Sequence, residues 1–347
     1  MSDIRDVARK AGVSVSTVSY AFSGKRPISS KTYRRIMEAV EELDYAPDAG
    51  ARMLRAKRKN IVALSAPLRQ RQDRTSYSDY FIEMASSEHA RGYDSLLLTA
   101  ENGVEDIRRV TRSNLADGVI LMDIVHDDIR ADQAATYGRP CVALGLPIHH
   151  ETLACVDLDF ELMGRMAVEA MYRAGRRHVL FLQDLKSEYR RGSGFRLILS
   201  RSLRAWCHRY GMDLREEPGP TGGDLQYTLG VLQIMTRNHV DAVIGEIPPS
   251  LLDTVVTRMR DKGLSIPEDV SILSCAAGKA STALDRQGIS EMPLTPDTLC
   301  TTASDLLTHA IEGGDSIAGR VILQKPKLID RGSVMPRPTR TPSFGAA

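Results

Sequence analysis

The sequence predicts a small all-α helix-turn-helix head followed by an α/β body of two lobes, each built on a doubly wound parallel sheet. Apolar residues in the first part of the chain recur at helical spacing, whereas from residue 61 short apolar runs alternate with segments of helical length. At 347 residues the chain is also longer than one ordinary domain. We therefore predict a helix-turn-helix domain at 1–46, a hinge at 47–60, a two-lobed domain at 61–335 and a disordered tail at 336–347.

Two of the three helices predicted in the head follow from ordinary helix signals. The apolar positions of the first are Ile4, Val7, Ala8 and Ala11. Ser2 is a suitable N-cap for it, and Gly12 ends it. Ser29 and Ser30 can cap a third helix, which Pro47 ends. The apolar stripe of that helix consists of Tyr33, Ile36, Met37, Val40 and Leu43.

The stretch between them, GVSVSTVSY at 12–20, alternates apolar and small polar residues, and by itself that pattern favours a strand. Ala8, Gly12 and Val18 argue for a helix instead. A helix-turn-helix needs a small residue where its helices cross, a glycine in the turn and a branched apolar residue pointing into the core. We therefore predict a helix over 14–23, with Ser14 as N-cap and Gly24 beyond its end. Its inward residues would be Ser14, Val18 and Ala21, and its outward residues Val15, Ser16, Ser19 and Tyr20.

The distribution of charge indicates a polyanionic partner for the head. Residues 1–60 contain 13 Lys and Arg against 7 Asp and Glu, a net charge of +6, and the rest of the chain carries −4. The outward face of the second helix suits the major groove of double-stranded DNA. Serine can donate to or accept from base edges, Val15 can meet a thymine methyl, and the Tyr20 hydroxyl can reach a base or a phosphate. An ordinary surface helix in a small bundle is the alternative.

The body is predicted from seven short apolar runs that read as strands. They are 61–67, 94–100, 118–123, 140–145, 178–183, 241–246 and 269–275. Amphipathic segments of helical length lie between most of them, such as 157–175, which ends in Gly175. Continuous apolar strands separated by helices indicate parallel sheets covered on both faces. The run is too long for one sheet with one core, which predicts two lobes.

Composition and motifs exclude several classes of protein. No apolar run is long enough to span a bilayer and no signal-peptide core follows the N-terminus, so we expect a cytoplasmic protein. The five cysteines are scattered without metal-ligand spacing, which favours buried, reduced thiols. No phosphate loop, nucleophile elbow or metal cluster is present, so we predict no catalytic residue, metal or cofactor. A transport-type binding protein would need a signal peptide and would have no use for a basic head.

The segment DIRDVARKAGVSVSTVSYAFSGKRPISSKTYRRIMEAVEELDYAPDAGARML resembles the head and hinge of the LacI/GalR (lactose-repressor) family of bacterial transcriptional regulators. The motifs YFIEMASSEHARGYDSLLLTA, VDLDFELMGRMAVEAM, RRGSGFR, IPEDVSIL and PLTPDTL extend the resemblance through the body. The resemblance implies lobes like those of periplasmic sugar-binding proteins and an effector held in the cleft between them. It also implies a repressor that binds a near-palindromic operator as a homodimer or a tetramer.

The resemblance assigns DNA-contacting roles by position. The implied base-reading residues are Val15, Ser16 and Tyr20. The implied backbone contacts are Ser14, Thr17, Ser19, Lys25, Ser29 and Tyr33, for which capping or packing is the alternative. Residues 48–56 match the hinge helix, in which Leu54 is the minor-groove wedge beside Ala51 and Arg52. Asp48 and Gly50 depart from the pattern, and because Gly50 costs about 1 kcal/mol of helix stability we predict a hinge that is ordered only on DNA.

The effector cleft matches the family only in part. Tyr80 and Phe81 occupy its aromatic pair, and Arg191 lies in the RGSGF motif. The usual acceptors for sugar hydroxyls are replaced at three strand ends, where Gly145, Glu246-Ile247 and Cys275-Ala276 stand. A buried hydroxyl without a partner costs about 1–3 kcal/mol, so an ordinary sugar is not expected.

Three alternatives remain for the signal that this cleft would answer. The first is a less hydroxylated or anionic small molecule, placed against Glu246, Cys275 and Arg191, with Arg190 and the loop 69–74 as further positive charge. The second is a protein partner. The third is no ligand at all.

Overall fold

The computed structural model describes residues 3–23, 26–45, 58–68, 74–220 and 223–335. The chain divides into two units, with the boundary between Lys59 and Asn60. Several predictions fall outside the described residues. They concern Ser2, Gly24, Lys25, most of the hinge with Ala51, Arg52 and Leu54, the loop 69–73 and the tail 336–347.

Three helices form the head: α1 (Ile4–Ala11), α2 (Val15–Ser23) and α3 (Ser30–Glu42). The alternating stretch is therefore helical, as the Ala8, Gly12 and Val18 spacing predicts, and not a strand. One small core joins the three helices, and its buried members are Val7, Ala8, Ala11, Val18, Ile36 and Ala39. Packing of Val18 into this core, and not local preference, holds α2 helical.

The turn between α1 and α2 requires glycine on two grounds. Gly12 has a φ of 63°, in the left-handed region where a Cβ is unfavourable. A Cβ there would also lie 2.8 Å from Nη2 of Arg35, whose guanidinium donates to the carbonyl oxygen of Ala11. The turn is thus fixed both by its backbone conformation and by the third helix.

Details of the head correct the sequence predictions. The N-cap of α1 is Asp3, which accepts from the backbone of Arg5 at 2.7 Å and of Asp6 at 3.0 Å. Ser14 caps α2 as predicted, accepting from the Thr17 backbone at 3.2 Å, but its side chain is exposed and not inward. Tyr33 and Met37 are 46% and 37% exposed, so neither belongs to the buried stripe of α3 in which both were predicted.

The first lobe is a six-stranded parallel sheet with the order β11-β5-β4-β3-β1-β2. Helices cover both of its faces. Its strands are β1 (Ile61–Ser65), β2 (Asp94–Leu98), β3 (Gly118–Leu121), β4 (Cys141–Leu144), β5 (Ala154–Leu158) and β11 (Val321–Gln324). Its helices are α4 (Arg74–Ala90) and α13 (Pro296–Ile311) on one face and α5 (Val104–Arg112), α6 (Ile129–Asp132) and a 3₁₀ turn (Ala134–Thr136) on the other.

The second lobe is a five-stranded parallel sheet with the order β10-β9-β8-β6-β7. Its strands are β6 (His178–Leu182), β7 (Asp213–Glu217), β8 (Ala242–Gly245), β9 (Ser271–Cys275) and β10 (Ser290–Met292). Its helices are α7 (Phe160–Arg173), α8 (Lys186–Arg190) and α9 (Gly194–Arg209), then α10 (Asp224–Arg237), α11 (Pro249–Asp261) and α12 (Thr282–Arg286). The larger helices cover both faces, which confirms the doubly wound fold class.

The chain passes between the lobes three times. It leaves the first lobe after β5 and returns after β10 to form α13 and β11. It then crosses a third time, so that Ile329 pairs with Glu291 of β10. These crossings place the ends of strands from both sheets around one cleft.

All seven predicted strands are present, and four more are not in the prediction: β5, β7, β10 and β11. The predicted helix over 157–175 begins later, at Phe160, because Asp159 is its N-cap and accepts from the Leu162 backbone at 2.8 Å. Asp157 therefore belongs to the end of strand β5 and not to a helix.

Two predicted properties of the chain can be compared with the fold. None of the helices in the described ranges is long and apolar enough to cross a membrane. All five cysteines are buried and free, as predicted.

Candidate functional site

The outward face of α2 is the candidate DNA-contacting surface of the head. Val15 is 40% exposed and Ser16 is exposed, whereas Val18 is completely buried on the opposite side. Ser14 is the N-cap of α2, and its hydroxyl accepts from the backbone of Thr17. The backbone N–H groups of the first turn are therefore partly satisfied within the protein. This face offers a methyl pair and a hydroxyl, side chains small enough to approach base edges closely.

Tyr20 lies further along the same face and is half-buried. The guanidinium carbon of Arg26 lies 5.4 Å from the centroid of its ring, within the range of a cation–π interaction. Arg26 thus places a positive charge beside Tyr20, and a DNA phosphate could contact the same guanidinium.

The other predicted backbone contacts have different surroundings. Ser29 and Tyr33 are exposed, while Thr17 and Ser19 are half-buried. Ser29 caps α3 by accepting from the Thr32 backbone at 3.2 Å, and Thr17 is hydrogen-bonded to Ser14 through their hydroxyls at 2.8 Å. Capping therefore occupies some of these hydroxyls in the free protein, as the alternative reading allowed.

The candidate effector site is a cavity of about 160 Å³ between the two lobes. It lies at the carboxyl ends of strands from both sheets. Asp123 follows β3, Asp157 is in β5, Asp184 follows β6, Glu246 follows β8 and Ala276 follows β9. In each sheet the order reverses beside its first strand, and doubly wound folds bind ligands at such positions.

One part of the cavity wall is aromatic. Its rings belong to Tyr77, Tyr80, Phe160 and Phe195. The centroids of Phe160 and Phe195 lie 5.0 Å apart, and the ring of Phe195 also faces the Arg196 guanidinium at 4.4 Å. Burial raises the pKa of the Tyr80 hydroxyl, so this group remains a neutral hydrogen-bonding group.

Aliphatic residues such as Ile124, Leu144 and Leu294 also line the cavity, and its charged side chains other than Asp157 form two networks that share Glu188. In the first, Arg191 donates through Nη2 to Asp123 at 2.7 Å and to Glu188 at 2.7 Å. Although burial lowers the pKa of Arg191, its bonds to Glu188 and Asp123 outweigh this and raise it. This arginine is fixed in place before any ligand arrives.

In the second network Arg196 contacts Asp184 and lies 2.9 Å from Glu246, between Nε and Oε1. Tyr189 donates its hydroxyl to the same Glu246 carboxylate. Burial nevertheless raises the pKa of Glu246 to about 7, because Arg196 and Tyr189 only partly offset the cost of removing the charge from water.

Asp157 is the cavity carboxyl without an arginine partner among the described residues. It is 7% exposed; Oδ1 accepts from the Leu158 backbone at 2.9 Å, and Oδ2 has no hydrogen-bond partner in the described part of the chain. Burial raises its pKa to about 7, against the opposite effect of the Leu158 and Leu146 backbone amides. Nη1 of Arg191 is likewise buried without a partner there. Nε of Arg196 and Oε1 of Glu246 also lack a hydrogen-bond partner among the described residues, but they face each other in an ion pair, so Oδ2 of Asp157 and Nη1 of Arg191 are the acceptor and the donor left for a ligand.

Three of the five predicted effector residues, Tyr80, Arg191 and Glu246, line this cavity. The placement of the other two is corrected. Phe81 packs edge-on against Tyr77 at 5.0 Å, and Cys275 is completely buried in the core at the end of β9. Beyond Cys275 the cavity wall is formed by Ala276, which has a φ of 55°.

Four carboxyl groups that were not predicted from the sequence supply acceptors in place of the three replaced ones. They are Asp123, Asp157, Asp184 and Glu188. Asp123 and Asp184 stand directly after apolar strands, and that position was the available signal. With Glu246, five carboxyl groups face two arginines, which disfavours the anionic effector that the sequence left open.

Away from the cavity, possible ligand atoms of Asp127, Asp132 and His149 lie within 4.8 Å of one another. All three side chains are exposed, and exposed acidic groups are common without an ion. We therefore assign no metal site to them.

Comparisons with known proteins agree with this division of the chain. A family model described as bacterial regulatory proteins, lacI family, matches residues 3–48. A model described as a periplasmic binding protein-like domain matches residues 168–334. The two matches cover the head and much of the body, including most of the second lobe.

Individual proteins are similar over different shares of the chain. An HTH-type transcriptional regulator from Lachnoclostridium phytofermentans is 23% identical over 90% of this chain and 94% of its own length. The sucrose operon repressor of Lactococcus lactis is 28% identical over a region that covers 58% of this chain and 64% of that repressor. Among solved structures, a lac repressor dimer bound to operator and the anti-inducer ONPF has a TM-score of 0.78 at 17% identity, over 96% of this chain and 99% of that one. The relatives are named as regulators of transcription and not as enzymes.

Proposed function

We propose that this chain, whose head matches the lacI family model over residues 3–48, is a regulator of that family that binds operator DNA through α2 and responds to a small molecule held between its lobes. The observation that carries this proposal is the two-sided character of α2. Val18 is completely buried, so the helix is held from one side, while Val15 and Ser16 on the other side are free to contact a groove. As a regulator of transcription, the protein would act in the cytoplasm, where the operator is.

The base-reading residues would be Val15, Ser16 and Tyr20. A methyl–methyl contact from Val15 would favour thymine, and the Ser16 hydroxyl would accept or donate at a neighbouring base edge. The phosphates on either side would be held by exposed basic side chains of the head, which include Arg5, Lys31 and Arg34.

The protein would bind a near-palindromic operator as a homodimer, since one α2 can read only one half-site. Repression would follow from occupation of the operator. Ala51, Arg52 and Leu54 of the hinge would enter the minor groove between the half-sites, and tetramers would form by pairing of dimers.

The effector would occupy the cavity between the lobes, because ligands that bridge two lobes shift the balance between open and closed forms. Tyr80, Arg191 and Glu246 supply an aromatic surface, a donor and an acceptor there. The built cavity, with an unused buried donor and acceptor, favours this reading over control by a protein partner or by no ligand.

Base reading is tested by selecting duplexes from a pool randomised around the binding site. We expect Tyr20→Arg to change the preferred base at one position of each half-site. Tyr33→Arg is the matched control, because it adds the same charge at a predicted backbone position. The control should raise affinity for many sequences while leaving the preferred sequence as it is. If Tyr20→Arg also left the preferred sequence unchanged, Tyr20 would not read a base.

A further inference from the structure

We propose that the effector is a small organic cation, whose ammonium lies against Asp157 and the aromatic wall and whose oxygen atom accepts from Arg191. This inference rests on the proposed function in one respect, namely that the cavity is the effector site. The steps below concern only the residues of that cavity.

The first step is the charge of the wall. Five carboxyl groups meet two guanidinium groups, so full ionisation would leave the cavity with three uncompensated negative charges. Both arginines are already engaged, Arg191 by Asp123 and Glu188 and Arg196 by Asp184 and Glu246. An anion would add to the surplus of negative charge, whereas a cation would meet a site that lacks positive charge.

The second step is the position of Asp157. Its Oδ2 atom is buried without a partner, and no arginine or lysine is paired with it among the described residues. Buried carboxylates are stable when a cation or hydrogen-bond donors compensate them. The missing charge is therefore one that a ligand can bring.

The third step is the aromatic wall beside it. The charge of Asp157 helps to raise the pKa of Tyr80, and Phe160, three residues after Asp157 in the chain, packs against Phe195. The faces of aromatic rings carry partial negative charge and attract cations, most strongly where water is excluded. Rings and a carboxylate together are a common setting for an ammonium group, and the unused Nη1 of Arg191 requires an oxygen acceptor on the same ligand.

Proton linkage gives this site a signature. Besides Tyr77 and Tyr80, the charged or titratable groups that share the cavity with Asp157 are Asp123, Asp184, Glu188, Arg191, Arg196 and Glu246. Because the pKa of Asp157 is about 7, a bound cation that holds it ionised releases roughly half a proton at pH 7. Binding to the ionised form alone becomes about tenfold weaker from pH 8 to pH 6. Glu246, whose pKa is also about 7, adds to this dependence where the cation reaches it.

Matched pairs of probes separate charge from shape. Choline keeps its charge at every pH, and in neohexyl alcohol a carbon replaces its nitrogen. Glucosamine and glucose form a second pair at pH 7. Titration calorimetry of the full chain in two buffers of different ionisation enthalpy gives both the affinity and the protons released.

We expect at least one cation to bind about tenfold or more tightly than its neutral partner and to release protons. Asp157→Asn should abolish that preference, while Asp213→Asn, an exposed control on β7, should keep it. Equal binding within both pairs, tighter binding of a neutral probe, or no saturable binding of either cation would each overturn the proposal.

A parallel operator titration separates this inference from the proposed function. If the protein binds operator DNA but shows no cation preference, only the nature of the effector is wrong. If it binds a cation but no operator, the regulatory function fails and the cavity assignment stands.

Discussion

Replacement of Arg130 by Met should destabilise the first lobe, because this guanidinium joins the ends of two central strands beside the cavity. Nη1 donates to the carbonyl oxygen of Ser65 at the end of β1 at 3.0 Å, and Nη2 donates to that of Met122 after β3 at 3.0 Å. Nε and Nη2 also donate to the two oxygens of Asp128, at 2.9 and 2.7 Å. The side chains of Arg130 and Asp128 are only 3% and 2% exposed.

The size of the effect follows from this burial. Removing one member of a buried ion pair costs about 3–5 kcal/mol, because the remaining charge is left without compensation. Burial raises the pKa of Asp128, but hydrogen bonds and charge from Arg130 outweigh this, so the net pKa is lowered. Without Arg130 the pKa of Asp128 should rise, and protonation would then relieve part of the cost. The loss of stability should therefore shrink as the pH falls from 7 to 5.

Urea unfolding measures this loss, with Asp128→Asn and the double variant completing a double-mutant cycle. Arg173→Met is the control, since Arg173 is 79% exposed and its contact to Glu169 is 3.4 Å long, and it should cost less than about 1 kcal/mol. The double variant should be less destabilised than the sum of the single ones. The reasoning is refuted if Arg130→Met costs no more than the control, or if the single costs simply add.

Three further changes test other parts of the structure. Gly12→Ala should weaken operator binding, because a φ of 63° disfavours alanine by about 1 kcal/mol and the added Cβ would displace the Arg35 side chain. Unchanged affinity would contradict this account of the turn. Val18→Ala should destabilise the head by about 2 kcal/mol or more, seen as faster proteolysis within the head, whereas equal cleavage rates would exclude α2 from its core. In the unliganded protein, the raised pKa of Asp157 stabilises the fold at low pH, so thermal stability should fall as the pH rises from about 5 to 7 and level off above pH 7. Asp157→Asn should flatten that fall, and an identical slope would show that Asp157 does not titrate as described.

Six of the seven central strands were predictable from the sequence because each is a continuous apolar run; the exception is β5, whose end was taken as part of the following helix. Of the four edge strands only β2 was predicted. β7 (Asp213–Glu217) contains four charged residues in five positions, and it is a strand only because β6 pairs with one of its edges. β10 (Ser290–Met292) has three residues, too few for a periodic signal.

The head shows how packing overrides local pattern. Residues 12–20 alternate as a strand does, and their β-branched and serine residues are weak helix formers. The positions of Ala8, Gly12 and Val18 nevertheless predicted the helices, because each residue meets a steric requirement of the turn or the core. The exposure of Tyr33 could not be predicted in this way. The apolar residues of α3 outnumber those that the small core of the head can bury, so Tyr33 remains exposed.

The cavity was predictable only in part, because its residues come from strand ends that periodicity does not resolve. Asp157 was included in the helix that follows it, since the apolar spacing of α7 continues backwards into β5. Cys275 was expected to face the effector, but the alternation of β9 directs it into the core, and the chain turns at Ala276. Arg191 was found through its motif; its ion pairs with Asp123 and Glu188 depend on the fold.

The most direct test of the central claim is a fluorescence anisotropy titration of the full protein. It would use DNA from upstream of the protein's own gene and a scrambled duplex of the same composition, at several salt concentrations. The account predicts clear preference for the upstream DNA and an affinity that falls steeply with salt, as displacement of counterions by the basic head requires. Equal binding of both duplexes, or an affinity independent of salt, would contradict it.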